Sequence, residues 1–188
     1  MPVESLETPY LLLSAPELLD PNFARAVVLM GHHTKEGAIG WIVNRIIDAK
    51  ATDVLPPPLN DAIHPATPLR LGGPVLVNGL VAIARKELPE VESVQIAPGI
   101  YVSASPEALP TLFSGAPGAS APHGLLVFGY AGWGPGQLER EMEDGSWLIL
   151  PYEEEFAFPS AVEGLWEKAL ARLGATPQSV SAPPGGVN

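Results

Sequence analysis

The sequence predicts a single α+β domain built from many short strands and a few helices. The chain has 188 residues, of which 46% are hydrophobic, and a chain of this size forms one substantial core without disulfides or a structural metal. Its 22 prolines and 19 glycines favour short elements joined by tight turns over a long helical bundle. The best-marked helix lies near the C-terminus, where we expect it to pack on the sheet.

Composition and charge restrict the classes of function. The formal net charge is −11, and such a field repels phosphate backbones and anionic lipid, so direct nucleic-acid binding is disfavoured. No apolar stretch approaches the roughly 20 residues that span a bilayer, and the N-terminal residues lack a signal peptide, so we expect a cytoplasmic protein. Because the chain has no cysteine, thiolate metal sites and cysteine catalysis are excluded. No cofactor or metal is predicted, and the oligomeric state stays open.

The N-terminal part is predicted to form three strands. The apolar runs 10–13 and 26–30 are bounded by Pro, Asp and Gly, which is typical of buried strands. Between them, Asp20-Pro21 favours one helical turn. The third strand, 38–43, follows a turn at 35–37, so the second and third strands are predicted to pair as a hairpin.

The middle of the chain is less regular. Residues 46–68 are predicted to form a surface excursion, in which Pro56-Pro57-Pro58 ends any helix that precedes it. Segments 70–75 and 80–84 have the character of strands, and the Asn78-Gly79 pair between them is a strong hairpin signal. Residues 95–103 are predicted to add one or two further strands.

The C-terminal part combines strands and helices. A weak helix is predicted after Ser105-Pro106, and then a strand over 124–130, a glycine-rich loop, a short helix over 137–144 and a strand over 147–150. Ser160 and Glu163 have the spacing of a capping box for the last helix, which Gly174 should end. The domain is predicted to span 1–174, and the Pro-, Gly- and Ser-rich tail 175–188 is expected to be mobile.

The glycine-rich segment 129–136 is the first candidate site. It lacks the Lys-Ser/Thr pair of a P-loop and the G-x-G-x-x-G spacing, and Glu139 and Glu141 place negative charge where a phosphate would bind. We expect its glycines to hold Tyr130 and Trp133 near the surface for recognition of a partner or ligand. The alternative is that both rings fill the core.

His33 is the second candidate. Because neighbouring strand residues point to opposite faces, His32 and His33 are poorly placed to share a metal ion. His33 could act as a general base or hydrogen-bond donor, or it could be a strand-end histidine satisfied by the backbone. No serine lies in a G-x-S-x-G elbow. A hydrolase that uses His33 is therefore the alternative to a binding function.

Several motifs together resemble one bacterial family. They are Asp20-Pro21-Asn22-Phe23, HTKEGAIGWIVNR from His33 to Arg45, Leu71-Gly72-Gly73-Pro74-Val75, GYAGWGPGQLERE from Gly129 to Glu141, and Trp147. In this order, and over about 10–174, they are similar to the AlgH/YqgE family. The resemblance implies a cytosolic protein whose bent, branched and mostly antiparallel sheet forms a small closed barrel flanked by helices.

The resemblance also implies a role and a surface. The family is often labelled a transcriptional regulator, and no catalytic residue set goes with it, so we predict a binding or regulatory module that recognises a protein or a small ligand. Where the family has an Arg-Gly-Phe-x-Leu-His-like string, this chain has residues 78–83 without the Arg and His, which weakens any shared catalytic role. The predicted binding residues are His33, Asn44, Gly72, Gly73, Pro74, Gly129, Tyr130, Trp133, Gln137 and Glu139.

Overall fold

The computed structural model describes residues 6–88, 91–116 and 123–178. In these ranges it has nine strands and six helices. The strands are β1 (Tyr10–Ser14), β2 (Val27–Thr34), β3 (Gly37–Ile42), β4 (Leu69–Leu71), β5 (Val75–Ala84), β6 (Val94–Ala97), β7 (Ile100–Ser103), β8 (Gly124–Trp133) and β9 (Trp147–Pro151). The helices are α1 (Ala51–Val54), α2 (Leu59–Ala62), α3 (Ala108–Phe113), α4 (Gln137–Glu143), α5 (Glu154–Ala157) and α6 (Leu165–Arg172).

All nine strands belong to one branched sheet. Its order is β6-β7-β5-β8-β3-β2-β1-β9 with antiparallel neighbours, and β4 lies parallel to β8. The branch point is β8, because its first part pairs with β4 and β5 and its last residues pair with β3. Among the described residues the end strands β6 and β9 are not paired with each other. The sheet is therefore an open half-barrel, and the closed barrel that the resemblance implied is wrong.

The sheet curls because β2, β5 and β6 each contain a register shift, and bulges of this kind increase local twist and bend a strand. The curl brings the edge strand β6 over β2: a Cβ atom on Gly31 would lie 2.5 Å from Trp41 Cζ3 and 3.0 Å from Ile96 Cδ1. One contiguous cluster of buried side chains fills the concave side, and we call it the inner core. Its members include Leu11, Leu29, Trp41, Ile83, Ala97, Val127, Leu150, Leu165 and Trp166.

The first two strands are buried on both faces, which explains their unbroken apolar sequences. Alternate residues such as Leu11 and Leu29 lie in the inner core, whereas Leu12 and Val28 belong to a second cluster covered by α4. A third cluster lies between β5, β8 and helices α1 to α3. The predicted hairpin of the second and third strands is confirmed by the antiparallel pairing of β2 with β3.

The predicted hairpin around Asn78-Gly79 is wrong. β5 runs as one strand through both residues, which lie in a bulge: Val75 opposes Tyr130, whereas Leu80 opposes Phe128. The two segments that the predicted hairpin would have joined do not pair with each other, because β4 and β5 both pair with β8. A turn signal is local, and here the strand partner lies more than 40 residues further along the chain.

Two other local predictions are corrected. β8 continues to Trp133, so most of the expected glycine loop is strand. The capping box of Ser160 and Glu163 does not form, since α6 begins after Gly164, whose left-handed conformation (φ 66°) separates both residues from the helix. Gly174 does follow the helix with φ 73°. Most of the tail whose mobility was expected, 179–188, lies outside the described residues.

Across the described ranges, none of the helices is both long enough and apolar enough to cross a bilayer. The longest of them, α6, has 8 residues.

Candidate functional site

Tyr10, His33 and Glu139 form a chain of hydrogen bonds that joins β1, β2 and α4. Tyr10 Oη lies 2.7 Å from His33 Nδ1, and His33 Nε2 lies 2.9 Å from Glu139 Oε1. An ionised carboxylate only accepts, so Nε2 carries a proton and donates it to Glu139; in the neutral ring Nδ1 then accepts from the Tyr10 hydroxyl. The His33 side chain is 4% exposed. Both ring nitrogens are used inside the protein, and not by the backbone.

Burial and neighbouring charges set the protonation of this chain of hydrogen bonds. Burial raises the pKa of Tyr10 far above its ordinary value, and the Glu139 carboxylate raises it further. For Glu139, burial is the largest single influence and raises the pKa, but hydrogen bonds from its own backbone amide and from His33, with the charges of His33 and Arg140, bring it below the ordinary value. At neutral pH Glu139 is therefore ionised and Tyr10 is a neutral donor.

Trp133, Trp147 and Phe23 form an aromatic cluster next to this chain. The two indole rings meet edge to face with centroids 5.7 Å apart, and Phe23 stacks on Trp133 at 6.1 Å. Glu141 Oε2 accepts both indole N–H groups, at 2.9 Å from Trp133 and 2.8 Å from Trp147. Trp133 is 6% exposed. The expectation that this ring is held near the surface is therefore wrong, and it fills the core as in the alternative.

Gln137 extends this network to the turn that precedes α4. Its Nε2 donates to Glu141 Oε1 at 2.8 Å, and its Oε1 accepts from the Gly134 amide at 3.0 Å. The side chain therefore fixes the start of α4 against the end of β8.

Gly72, Gly73 and Gly129 allow two backbone segments to touch. A Cβ atom on Gly73 would lie 2.3 Å from the Tyr130 carbonyl carbon, and one on Gly129 would lie 2.7 Å from Gly73 O. Gly72 donates its amide to Phe128 O at 2.7 Å. These glycines position the strands around the bulge of β5, and the exposed Pro74 continues from them into β5.

Asn44 lies at the other end of β2 from His33. Its Oδ1 accepts from the Val27 amide at 2.8 Å, and its Nδ2 donates to Arg25 O at 2.9 Å. Val27 and His33 are six positions apart on an extended strand, which separates them by about 20 Å. Asn44 therefore holds the turn before β2 and does not share a site with His33.

Arg70 is a buried cation on β4. Its side chain donates to Val43 O at 2.9 Å and to Pro159 O at 3.2 Å, and the residue is 4% exposed. Burial lowers the pKa of Arg70 to about 10, so the group is still charged at neutral pH. Its contacts with backbone carbonyls tie β4 to the segment between α5 and α6.

An open groove of about 430 Å³ continues the inner core at the hairpin end of the sheet. Ile39 forms its floor, paired with His32 on β2 and Gly132 on β8, and it lies two residues from Trp41 on the same face of β3. Val75 and Glu36 also line the groove. We call it the mouth groove.

Tyr130 forms one wall of the mouth groove. Its ring covers Gly132, where a Cβ atom would lie 3.1 Å from Tyr130 Cε2, and its inner part packs against the inner core. Among the described residues, the Tyr130 hydroxyl has no hydrogen-bond partner in the protein.

A second cavity, of about 480 Å³, lies on the far side of the β5 bulge. Leu55, Leu80, Leu109 and Phe128 give it an apolar lining, and Asn78 stands at its edge. Its lining, as far as the described residues go, includes none of the predicted binding residues and no charged side chain.

Comparison with known proteins decides the family. A family model described as AlgH-like matches residues 11–178. The chain belongs to the AlgH-like family. It is 34% identical to a UPF0301 protein of Ruegeria pomeroyi, over 93% of this chain and 96% of the relative. It is also 37% identical to a UPF0301 protein of Anaeromyxobacter dehalogenans, over 95% and 93% of the two chains.

Solved structures support the same fold for this AlgH-like chain. The solution structure of the AlgH protein from Pseudomonas aeruginosa matches with a TM-score of 0.70 and 27% identity, over 95% of both chains. A crystal structure of a protein from Corynebacterium diphtheriae matches with a TM-score of 0.68 and 22% identity, over 89% of this chain and 87% of that one.

The ten predicted binding residues of this AlgH-like chain fall into separate groups. His33, Trp133, Gln137 and Glu139 lie around α4, on the convex face. Gly72, Gly73, Gly129 and Pro74 lie where two backbone segments touch beside the bulge of β5. Asn44 lies at the far end of β2. Tyr130 and Trp133 both line the mouth groove, but Tyr130 packs against the inner core, whereas Trp133 belongs to the second cluster.

Sequence reasoning missed His32, Ile39 and Val75 in the mouth groove. Period-two alternation along β3 and β8 places residues 39, 130 and 132 on one face, and this signal was present in the sequence. The bulge between Met30 and His32 was not, and it is what turns His32 toward the groove. Within the part of the chain that the structure describes, no three His, Asp or Glu residues are placed to hold a metal ion.

Proposed function

We propose that this AlgH-like chain is a binding protein that recognises a segment of a partner protein in the mouth groove. The observation that carries the proposal is Tyr130, a half-buried ring whose hydroxyl has no hydrogen-bond partner among the described residues and which lies beside the aliphatic side chains of Ile39 and Val75. An apolar floor with a few convergent polar groups is the composition of a ligand site, and the open end of a barrel is a frequent place for one.

The surface next to the groove favours a protein partner over a small ligand. Leu76 and Val77 follow Val75 in the bulge and are 70% and 48% exposed, and Ile39 is 38% exposed. Leu76 and Val77 adjoin the groove residue Val75 along the strand, and exposed apolar side chains that are grouped are typical of protein interfaces. Leu76 also has a φ of 47°, a conformation that costs a non-glycine residue roughly 1–3 kcal/mol and that clusters at functional positions.

The walls of the groove are fixed before any partner arrives. The convex side of the same strands is held by the hydrogen bonds of His33 to Tyr10 and Glu139, and the close contact of Gly73 with Gly129 fixes the bulge. A preorganised site loses less conformational entropy on binding.

The remaining functional candidates have less support. His33 has both ring nitrogens occupied and a side chain that is 4% exposed, which favours a positioning role over a hydrolytic one. The net charge of −11 opposes direct contact with a nucleic-acid backbone, so a regulatory role would act through protein contacts. We further propose a cytoplasmic location, in keeping with the absence of cysteine.

Partner capture with matched variants tests the proposal. Purified protein, Tyr130→Ala and Ile39→Ser are each used as bait in a nuclease-treated bacterial lysate, and Tyr101→Ala serves as control because Tyr101 is also half-buried but packs against the third cluster. We expect a protein that binds the unaltered bait and the control and is lost from both groove variants. The candidate is then purified and its affinity measured by titration calorimetry. Equal binding to all four baits would contradict the proposal.

A further inference from the structure

The mouth groove has a negative end. Among the described residues that line it, Glu36 is the acidic one, and none is a Lys or Arg. The nearest cation, Lys35, reaches Glu36 Oε1 only at 4.0 Å, with its side chain 91% exposed and that of Glu36 71% exposed. An exposed pair at this distance contributes little, so the Glu36 carboxylate is available to a ligand.

The aromatic wall of the groove, Tyr130, also favours a cationic ligand. The face of a tyrosine ring attracts an ammonium or guanidinium group within about 6 Å of its centre. The Tyr130 hydroxyl, to which no described residue is hydrogen-bonded, can accept a hydrogen bond from such a group. Ile39 and Val75 provide the apolar surface that the methylene groups of a lysine or arginine side chain cover while the charged end stays near water. His32 is the lining residue that opposes a cation when it is protonated.

The charge of the whole chain acts in the same direction. The sequence has 21 acidic and 10 basic residues, and a field of this sign raises the association rate of cationic segments and repels anionic ones. The groove, its aromatic wall and the overall field therefore agree on the sign of the ligand.

We infer that the partner segment in the mouth groove carries a lysine or arginine flanked by apolar residues, with its charged end between Glu36 and the Tyr130 ring. The inference rests on the proposed function of the same groove. The apolar neighbours of the basic residue then lie on Ile39 and on the exposed Leu76 and Val77.

Selection from a displayed library of random heptapeptides tests this ligand class. The library is selected on the unaltered protein after depletion on Tyr130→Ala, and also after depletion on Ile39→Ser in case the first variant folds poorly. We expect the recovered peptides to be enriched in Lys or Arg beside Leu, Ile or Phe and depleted in Asp and Glu.

The recovered peptides are then resynthesised with norleucine in place of lysine, and fluorescence anisotropy measures their binding. Loss of the cation should weaken binding about tenfold. Glu36→Gln in the protein should weaken the lysine peptide about twofold to fivefold and leave the norleucine peptide unchanged, whereas Lys35→Gln should not weaken it.

The possible failures are distinct. Groove-dependent peptides that are acidic or uncharged would overturn the cation inference and leave the proposed function standing. If no peptide bound the unaltered protein better than the groove variants Tyr130→Ala and Ile39→Ser, both the cation inference and the proposed function would be overturned.

Discussion

At the scale of single residues, Glu141 shows how one carboxylate organises the convex side of the molecule. Both of its oxygens accept hydrogen bonds from the protein, and two of the donors are indole N–H groups of nearly buried tryptophans. The acid is two residues from Glu139, and the two side chains on α4 serve different partners. Together, Glu139 and Glu141 attach the helix to the sheet at two points.

Replacing Glu141 by alanine should destabilise the fold. The indole N–H groups of Trp133 and Trp147 would remain buried without an acceptor, and each unsatisfied donor costs about 1–3 kcal/mol. We expect the free energy of unfolding in urea to fall by about 2–4 kcal/mol for Glu141→Ala. Glu143→Ala is the control, because Glu143 is exposed at the end of the same helix, and it should change stability by less than about 0.5 kcal/mol. Equal effects of the two variants would contradict the role of Glu141.

Glu139 should make stability depend on acid. Because the folded protein holds the pKa of Glu139 below its ordinary value, its stabilisation is fully present above the unfolded pKa, about 4.3. It is lost as the pH falls through the folded value. Glu139→Gln should therefore lower the free energy of unfolding more at pH 7 than at pH 3, measured by urea denaturation. Glu143→Gln should show no such difference, and the same loss for Glu139→Gln at both pH values would exclude the linkage.

At the scale of elements, the sequence predicted a strand correctly when its own residues determine it, and failed when a contact with a distant part of the chain determines it. The strands β1 and β2 could be predicted because their apolar runs are buried on both faces, whatever their partners, and β3 could be predicted from the turn that joins it to β2. The Asn78-Gly79 signal failed because β5 pairs with β8, a distant strand whose backbone at Gly129 touches the chain at Gly73. His33 was predicted to be a general base, a hydrogen-bond donor or a histidine satisfied by the backbone, and the structure gives its ring two side-chain partners, Tyr10 and Glu139. The bulge that places its neighbour His32 in the groove has no sequence signature.

The close contact between Gly73 and Gly129 can be tested with two alanine substitutions at glycines that have similar φ angles. Gly129 has φ 69° and would place a Cβ atom 2.7 Å from Gly73 O, whereas Gly99 has φ 75° and no atom within 4 Å of that position. The left-handed conformation alone costs about 1–2 kcal/mol, which is the loss we expect for Gly99→Ala in thermal or urea unfolding. Gly129→Ala adds a backbone collision and should lose at least about 2 kcal/mol more. Similar losses would show that the close contact does not restrict this position.

At the scale of the whole molecule, the half-barrel has two different ends. At the end marked by Ser14 and Val27, α6 closes the inner core: Trp166 Nε1 donates to Ser14 O at 2.9 Å, and the Arg25 guanidinium lies 5.2 Å from the centre of the Trp166 ring. At the hairpin end none of the six helices in the described ranges covers Ile39 and Tyr130, and the mouth groove is open there. A sequence pattern identified α6 as a packing helix, but which end of the sheet it closes depends on the curl.

If α6 closes the inner core, its removal should prevent folding even though all nine strands remain. Leu165, Trp166 and Leu170 are each at most 5% exposed, and burial of each large side chain contributes about 1.5–3 kcal/mol, which together is comparable with the whole stability of a typical domain, about 5–15 kcal/mol. A chain ending at Ser160 should therefore lose cooperative urea unfolding and bind a hydrophobic dye, because the apolar concave face would be exposed. A chain ending at Gln178 is the control; it keeps α6 and Ala175, which packs against the inner core, and it should unfold like the full chain. Cooperative unfolding of the shorter chain would mean that the sheet alone holds the inner core, with α6 an addition to a domain that is already complete.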